Sequence, residues 1–219
     1  MEQTNRKYIA IIAFLRKFMS VFFSLFFNIY ILKIVNNDIN FILKYTVYSV
    51  IIGFILEYII LKIINSKNAS LIYKMSFILS VLCIILLIIF KENIVKYIYL
   101  FKTLDVMRAT FYAVPYELII IGSNNNKSMS SYLANLNILE NITAILTPIF
   151  SGFVIEKFSY NILFVILGLE TLLIIILASK IKDFTIHDNK MNLRIFWEKA
   201  KDKKHLKDIY KCMFFRRIS

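Results

Sequence analysis

The chain has 219 residues, of which 59% are hydrophobic, and its mean hydropathy is +0.68. A soluble domain is typically about 45–50% apolar, so this composition excludes an ordinary soluble domain and indicates an integral membrane protein. The net charge is +13, from 27 basic and 14 acidic residues. In a membrane protein such an excess is expected in cytoplasmic loops, so it gives no reason to expect nucleic acid as a partner.

Long apolar runs predict six spanning helices, each near the roughly 20 residues that a bilayer requires. They cover about residues 14–35, 41–64, 71–90, 94–121, 130–155 and 160–180. We therefore expect an all-α, polytopic membrane bundle over residues 1–183. Residues 1–17 lack a short apolar core followed by a small-residue cleavage site, so the first helix should remain in the membrane rather than act as a secretory signal.

Basic residues predict the orientation of this bundle. They cluster before or at the start of the first helix, around the second loop and after the last helix. The first of these clusters consists of Arg6, Lys7, Arg16 and Lys17. By the positive-inside rule both termini are expected in the cytoplasm, with the plasma membrane as the location. Residues 184–219 carry an apolar stripe between Leu193 and Phe214, interleaved with Lys and Asp, which predicts a cytoplasmic amphipathic helix. A solvated basic tail is an equally good interpretation.

The first helix is rich in aromatic residues. We expect these side chains to face lipid or the interfacial belt rather than a ligand. They are Phe22, Phe23, Phe26, Phe27 and Tyr30.

The fourth helix carries three charges on one face, because Lys102, Asp105 and Arg108 follow each other at i, i+3 spacing. Opposite charges at this spacing can neutralise one another and lower the cost of burial. Lys102 is expected to snorkel to the outer surface. Asp105 and Arg108 either line a pathway, with Tyr112 continuing the face, or form a fixed pair that sets helix register. Pro115 predicts a kink toward the cytoplasmic end.

The fifth helix carries a polar stripe at three- and four-residue spacing. Glu140 lies deep in this apolar sequence, where a carboxylate is costly unless it faces a partner or a watery cavity. Depth along antiparallel helices predicts that Glu140 can meet Arg108 near the midplane. Pro148 interrupts the backbone ladder and Gly152 allows close packing beside it. The stripe consists of Asn137, Glu140, Asn141, Ala144, Thr147 and Ser151.

Three partial motifs resemble the N-terminal six-helix half of the major facilitator superfamily. The helix-five motif reads Thr147-Pro148-Ile149-Phe150-Ser151-Gly152, where the family has Gly-Pro, two residues and Gly-Gly. Leu104 and Arg108 fit the helix-four motif, although Tyr112 replaces its glycine. Gly53, Glu57 and Lys62 fit the loop between helices two and three.

The resemblance implies a secondary transporter, or half of one, that moves a small solute by alternating access. It implies a second six-helix half as partner, either a missing C-terminal half or a dimer mate, and a proton is the candidate coupling ion. The implied pathway residues are Asp105, Arg108, Tyr112, Asn137, Glu140, Asn141 and Thr147. The implied structural or gating residues are Gly53, Glu57, Lys62, Pro115, Pro148, Ser151 and Gly152.

Two other functions stay open at this point. A permease subunit of another six-helix system would dock an ATPase through residues 191–214. A transport-inactive half-transporter would form a stable bundle without flux. An enzyme is not expected, because no constellation of His with Asp or Ser lies at one membrane face. No cofactor or metal is expected, since His187 and His205 lack neighbours with ligand spacing.

Overall fold

A computed structural model of the protein describes residues 3–65, 68–122 and 127–181, and every regular element in these ranges is a helix. Two shorter segments connect α-helices along the chain, a π-helical segment over Phe22–Phe26 and a 3-10 segment over Lys91–Tyr97. The predicted amphipathic segment at 184–219 lies outside the described residues. The helices are α1 Gln3–Val21, α2 Phe27–Ile34, α3 Ile39–Ile63, α4 Ala69–Phe90, α5 Ile98–Gly122, α6 Lys127–Lys157 and α7 Tyr160–Ser179.

Local sequence signals begin two of these helices. The Asp38 side chain accepts a hydrogen bond from the Phe41 amide at 3.2 Å and caps α3. The Ser159 hydroxyl accepts one from the Ile162 amide at 3.4 Å at the start of α7. Asn36 and Asn37, before α3, have φ angles of 53° and 64°, a conformation that Asn tolerates better than most residues. The turn between α2 and α3 therefore follows directly from the sequence Asn36-Asn37-Asp38.

Five helical stretches in the described part of the chain are long and apolar enough to cross a membrane. They indicate a membrane protein. One of them, at 49 residues, contains α4, the 3-10 segment and most of α5, and α4 and α5 pack against each other. The stretches are Lys7–Ile34, Ile39–Ile63, Ala69–Glu117, Ala134–Lys157 and Tyr160–Ser179.

The packing of the helices is nearly symmetric between the first and second halves of the bundle. Helix α1 packs against α6 and α7, and α5 correspondingly packs against α3 and α4. Helices α4 and α7 pack against each other. If α1 is exchanged with α5, α3 with α6 and α4 with α7, each of these contacts is replaced by one of the same set. Each set contains three long helices that follow one another along the chain.

The aromatic residues of the first helix lie in the core, so the prediction that they face lipid is wrong. Phe22 and Phe27 are fully buried, and Tyr30 is 8% exposed. The Phe27 ring stacks on Phe101 of α5 at 4.7 Å, and Phe22 meets Phe164 of α7 edge-on at 6.0 Å. Hydropathy does not separate a core face from a lipid face, because both surroundings are apolar.

Candidate functional site

The charged face of α5 is buried and internally paired. The Arg108 side chain donates to Asp105 Oδ1 from Nε at 3.0 Å and also from Nη2. Lys102 Nζ lies 3.5 Å from Asp105 Oδ2. The three residues are between 3% and 8% exposed. Their i, i+3 spacing thus produces the ion pairs that the sequence predicts, with one carboxylate shared by two cations.

Lys102 does not snorkel to the surface. Its Nζ lies 4.5 Å from the centre of the Phe27 ring and 5.4 Å from that of Tyr45. These cation–π contacts, together with the pair to Asp105, hold the ammonium group inside the bundle. Lys102 stays inside because Phe27 of the first helix points inward and places a π face where lipid was expected.

Arg16 of α1 joins this cluster, and sequence reasoning treated it only as a topological charge. Helix α1 begins at Gln3, so Arg16 lies well inside the helix rather than at its entrance. It is 6% exposed. One signal could have found it, because Arg16 continues the three- and four-residue spacing of the buried residues of α1. That buried stripe is Ile9, Ile12, Ala13, Arg16 and Met19.

The contacts of Arg16 connect three helices. Its Nη1 donates to Ser80 Oγ of α4 at 3.2 Å, and its Nη2 donates to the Arg108 carbonyl oxygen of α5 at 3.3 Å. The guanidinium lies 4.6 Å from the centre of the Tyr112 ring. Arg16 is also close enough to Glu170 of α7 to act on it electrostatically. Both Glu170 oxygens are buried, and neither has a hydrogen-bond partner.

Tyr112 lies beside this cluster, as its place on the Asp105 and Arg108 face predicts. Its ring stacks on Tyr116 at 5.2 Å and packs against Tyr73 and Phe77 of α4. The structure therefore brings Asp105, Arg108 and Tyr112 together around Arg16. We define the charged cluster as Arg16, Ser80, Lys102, Asp105, Arg108 and Tyr112.

Glu140 and Arg108 do not form the ion pair that depth alone predicts. The cationic side chain that acts on Glu140 is Lys17, and Glu140 also lies within electrostatic range of Tyr112 and Tyr116. Arg108 is instead directed to Asp105 on its own helix. Similar depth in two helices does not bring side chains together unless the same faces meet, and α6 packs against α1 and α7 rather than α5.

The polar stripe of α6 is divided between two environments. Thr147 and Ser151 are buried on the packed face, and the Thr147 hydroxyl donates to the Thr143 carbonyl at 2.6 Å. Glu140 is half-buried, whereas Asn137 and Asn141 are exposed. The stripe therefore does not form one continuous lining within the described residues.

Three of the predicted gating residues, Gly53, Glu57 and Lys62, lie on α3. Glu57 is exposed on α3, and Lys62 Nζ lies 4.3 Å from the centre of the Tyr58 ring. At Gly53 an added Cβ would meet Val106 of α5 at 3.5 Å, an ordinary van der Waals contact.

The two prolines lie within helices, and Gly152 lacks the close packing expected of it. Helix α5 continues through the buried Pro115, and α6 continues through Pro148. A Cβ added at Gly152 would meet nothing within 4 Å, so close packing at this glycine is not observed. The neighbouring Ser151 takes the buried position instead.

Comparison with known proteins identifies no family for this chain. No protein-family model matches it, and no curated protein and no solved structure does so. The resemblance to the major facilitator superfamily accordingly rests on the motif residues quoted above.

Proposed function

We propose that this chain is a six-helix half of a secondary transporter that moves a small solute across the plasma membrane by alternating access. The observation that carries the proposal is a buried, multiply charged cluster in an otherwise apolar bundle. Charged side chains are rare inside membrane helices, and they commonly mark substrate or ion pathways. Here four of them are buried together, and three lie on one helix.

The packing of α4 and α5 supports a count of six membrane crossings. At about 1.5 Å per residue, a straight helix over the 49 residues Ala69–Glu117 would extend roughly 74 Å, far beyond a hydrocarbon core of about 30 Å. Since α4 and α5 pack side by side, we count them as two crossings. With the other four stretches this makes six crossings, with both termini on the cytoplasmic side.

The near-symmetric packing also favours a transporter. Each half of the bundle has three passes, so successive halves enter the membrane from opposite sides. Three-helix repeats of opposite orientation occur within the six-helix halves of major facilitator transporters. The two buried arginines follow this arrangement, because Arg16 lies in the first pass of one repeat and Arg108 in the first pass of the other.

A second six-helix unit is the partner that this function requires, supplied by a further part of the protein or by another copy of the chain. Large apolar side chains remain exposed along α3 and α6, including Val47, Phe54, Ile145 and Ile149. These faces pack against either lipid or the second unit, and the pathway would run between the two units.

The proposal is tested by comparing solutes in cells that express the wild type or Arg108→Gln at equal membrane abundance. Untargeted mass spectrometry should find at least one small solute whose cellular level changes with the wild type and not with Arg108→Gln. Lys44→Gln, which removes an exposed charge on α3, is the matched control and should behave as wild type. Proteoliposomes then test the solute directly. Identical solute profiles in all cells, including cells without the protein, would refute transport.

A further inference from the structure

The charged cluster contains more positive than negative charge. Among the described residues, the buried cations are Arg16, Lys102 and Arg108, and the buried acid is Asp105. Lys102 and Arg108 share Asp105, whereas Arg16 has no carboxylate of the described residues within ion-pair distance. Counting Glu170 as a further negative charge still leaves three cations against two carboxylates. An uncompensated charge in an apolar interior is costly unless a counter-ion joins it.

Met19 lies where such a counter-ion would be expected. Its sulfur is 3.7 Å from Arg16 Nη1 and 3.4 Å from Arg108 Nη1, so both guanidinium groups contact the same atom. A thioether sulfur is only a weak hydrogen-bond acceptor. Two buried cations therefore converge on an acceptor that neutralises neither. The Arg108 guanidinium is further confined by the Phe23 ring, 4.3 Å away.

We propose that Arg16 and Arg108 form a binding site for a small oxyanion, a carboxylate or a phosphate, which displaces the Met19 sulfur from between them. Guanidinium groups match the planar geometry of carboxylates and phosphates and bind them through paired, charge-assisted hydrogen bonds. Arg16 uses its donors on neutral acceptors, Ser80 Oγ and the Arg108 carbonyl, which a charged ligand would replace with a net gain.

The inference rests on the proposed transport function only in taking this oxyanion as the transported solute. The repeats then have a direct role, since each contributes one arginine to the site. Met19 is long and flexible, and a methionine can repack at low cost when a ligand enters.

The experiment measures binding to the full-length protein in detergent, and it requires no transport. Inorganic phosphate and succinate are titrated separately, at constant ionic strength adjusted with sodium chloride, and the thermal midpoint is recorded. A ligand that binds the folded state raises the midpoint progressively with its concentration. We expect a saturable rise with at least one probe, and the two arms distinguish a phosphate site from a carboxylate site.

Three variants test the assignment to these residues. Arg16→Gln should weaken the response roughly tenfold or more, the loss expected for a charge-assisted hydrogen bond. Met19→Leu keeps the volume and removes the competing sulfur, so binding should be retained or strengthened. Lys44→Gln removes an exposed charge and should change nothing. If Arg16→Gln does not fold, Arg16→Lys decides, because a lysine lacks the planar fork and should bind more weakly.

The outcomes separate this inference from the proposed function. No saturable response to either probe, or an unchanged response in Arg16→Gln or in Arg16→Lys, overturns the oxyanion site. Solute flux in cells without oxyanion binding would refute the site and leave transport standing. Oxyanion binding without flux would support the site and refute transport.

Discussion

Asp105 is the carboxylate on which the ion pairs of α5 converge, and Asp105→Asn is therefore the most informative single substitution. Asparagine keeps the shape of the side chain and removes its charge. Arg108 then faces a neutral amide oxygen in place of the Oδ1 that accepted two of its hydrogen bonds, and Lys102 loses its carboxylate partner at 3.5 Å. Both cations then remain buried without the carboxylate that they share.

The size of the effect follows from this geometry. Breaking a buried pair by removing one partner costs about 3–5 kcal/mol. For a chain of this length about 1 kcal/mol corresponds to roughly 2–4 °C in the thermal midpoint, so we expect a decrease of about 6–20 °C. The measurement is thermal unfolding of the purified protein in detergent. Glu156→Gln, which neutralises an exposed carboxylate at the end of α6, is the control and should stay within about 0.5 kcal/mol of the wild type.

A double substitution tests whether charge is the cause. Arg108→Gln in the Asp105→Asn background removes one of the stranded cations and should recover part of the lost stability, with a coupling of about 0.5–3 kcal/mol. A decrease below about 3 °C in Asp105→Asn, or the absence of any recovery in the double variant, would show that these charges do not stabilise one another in the bundle.

The remaining predictions use the same unfolding measurement. Phe27→Ala should cost about 3–5 kcal/mol because the ring is fully buried against Phe101, whereas Phe153→Ala, at a 55% exposed position, should cost much less; equal losses would contradict the assigned core. Glu140→Gln should change stability by less than about 1 kcal/mol because the carboxylate is half-buried and makes no ion pair with Arg108, and a loss as large as that of a buried pair would refute this placement. Gly152→Ala should be neutral or stabilise by up to about 1 kcal/mol because nothing lies within 4 Å of the added methyl group. A clear loss of stability would instead indicate the close packing at Gly152 that the motif predicts.

Features that depend on neighbours along the chain were predictable from the sequence. The long apolar runs predict helices, and the structure has helices over most of each predicted run. The spacing of Lys102, Asp105 and Arg108 determines that they share one face, and the observed ion pairs follow from it. In each of these cases backbone geometry alone sets which residues are adjacent.

Contacts between helices were decided only by the tertiary structure. The entry of Arg16 into the charged cluster, the separation of Glu140 from Arg108, and the inward position of Phe27 all depend on which faces meet. In a soluble protein the burial of apolar residues would have indicated those faces. In this chain nearly every face of each helix is apolar, and lipid is as apolar as a protein core, so hydropathy cannot choose among the possible pairings. The sequence by itself therefore determined the helices and the charges along each of them, and only the packing of the bundle decided which of those charges became neighbours.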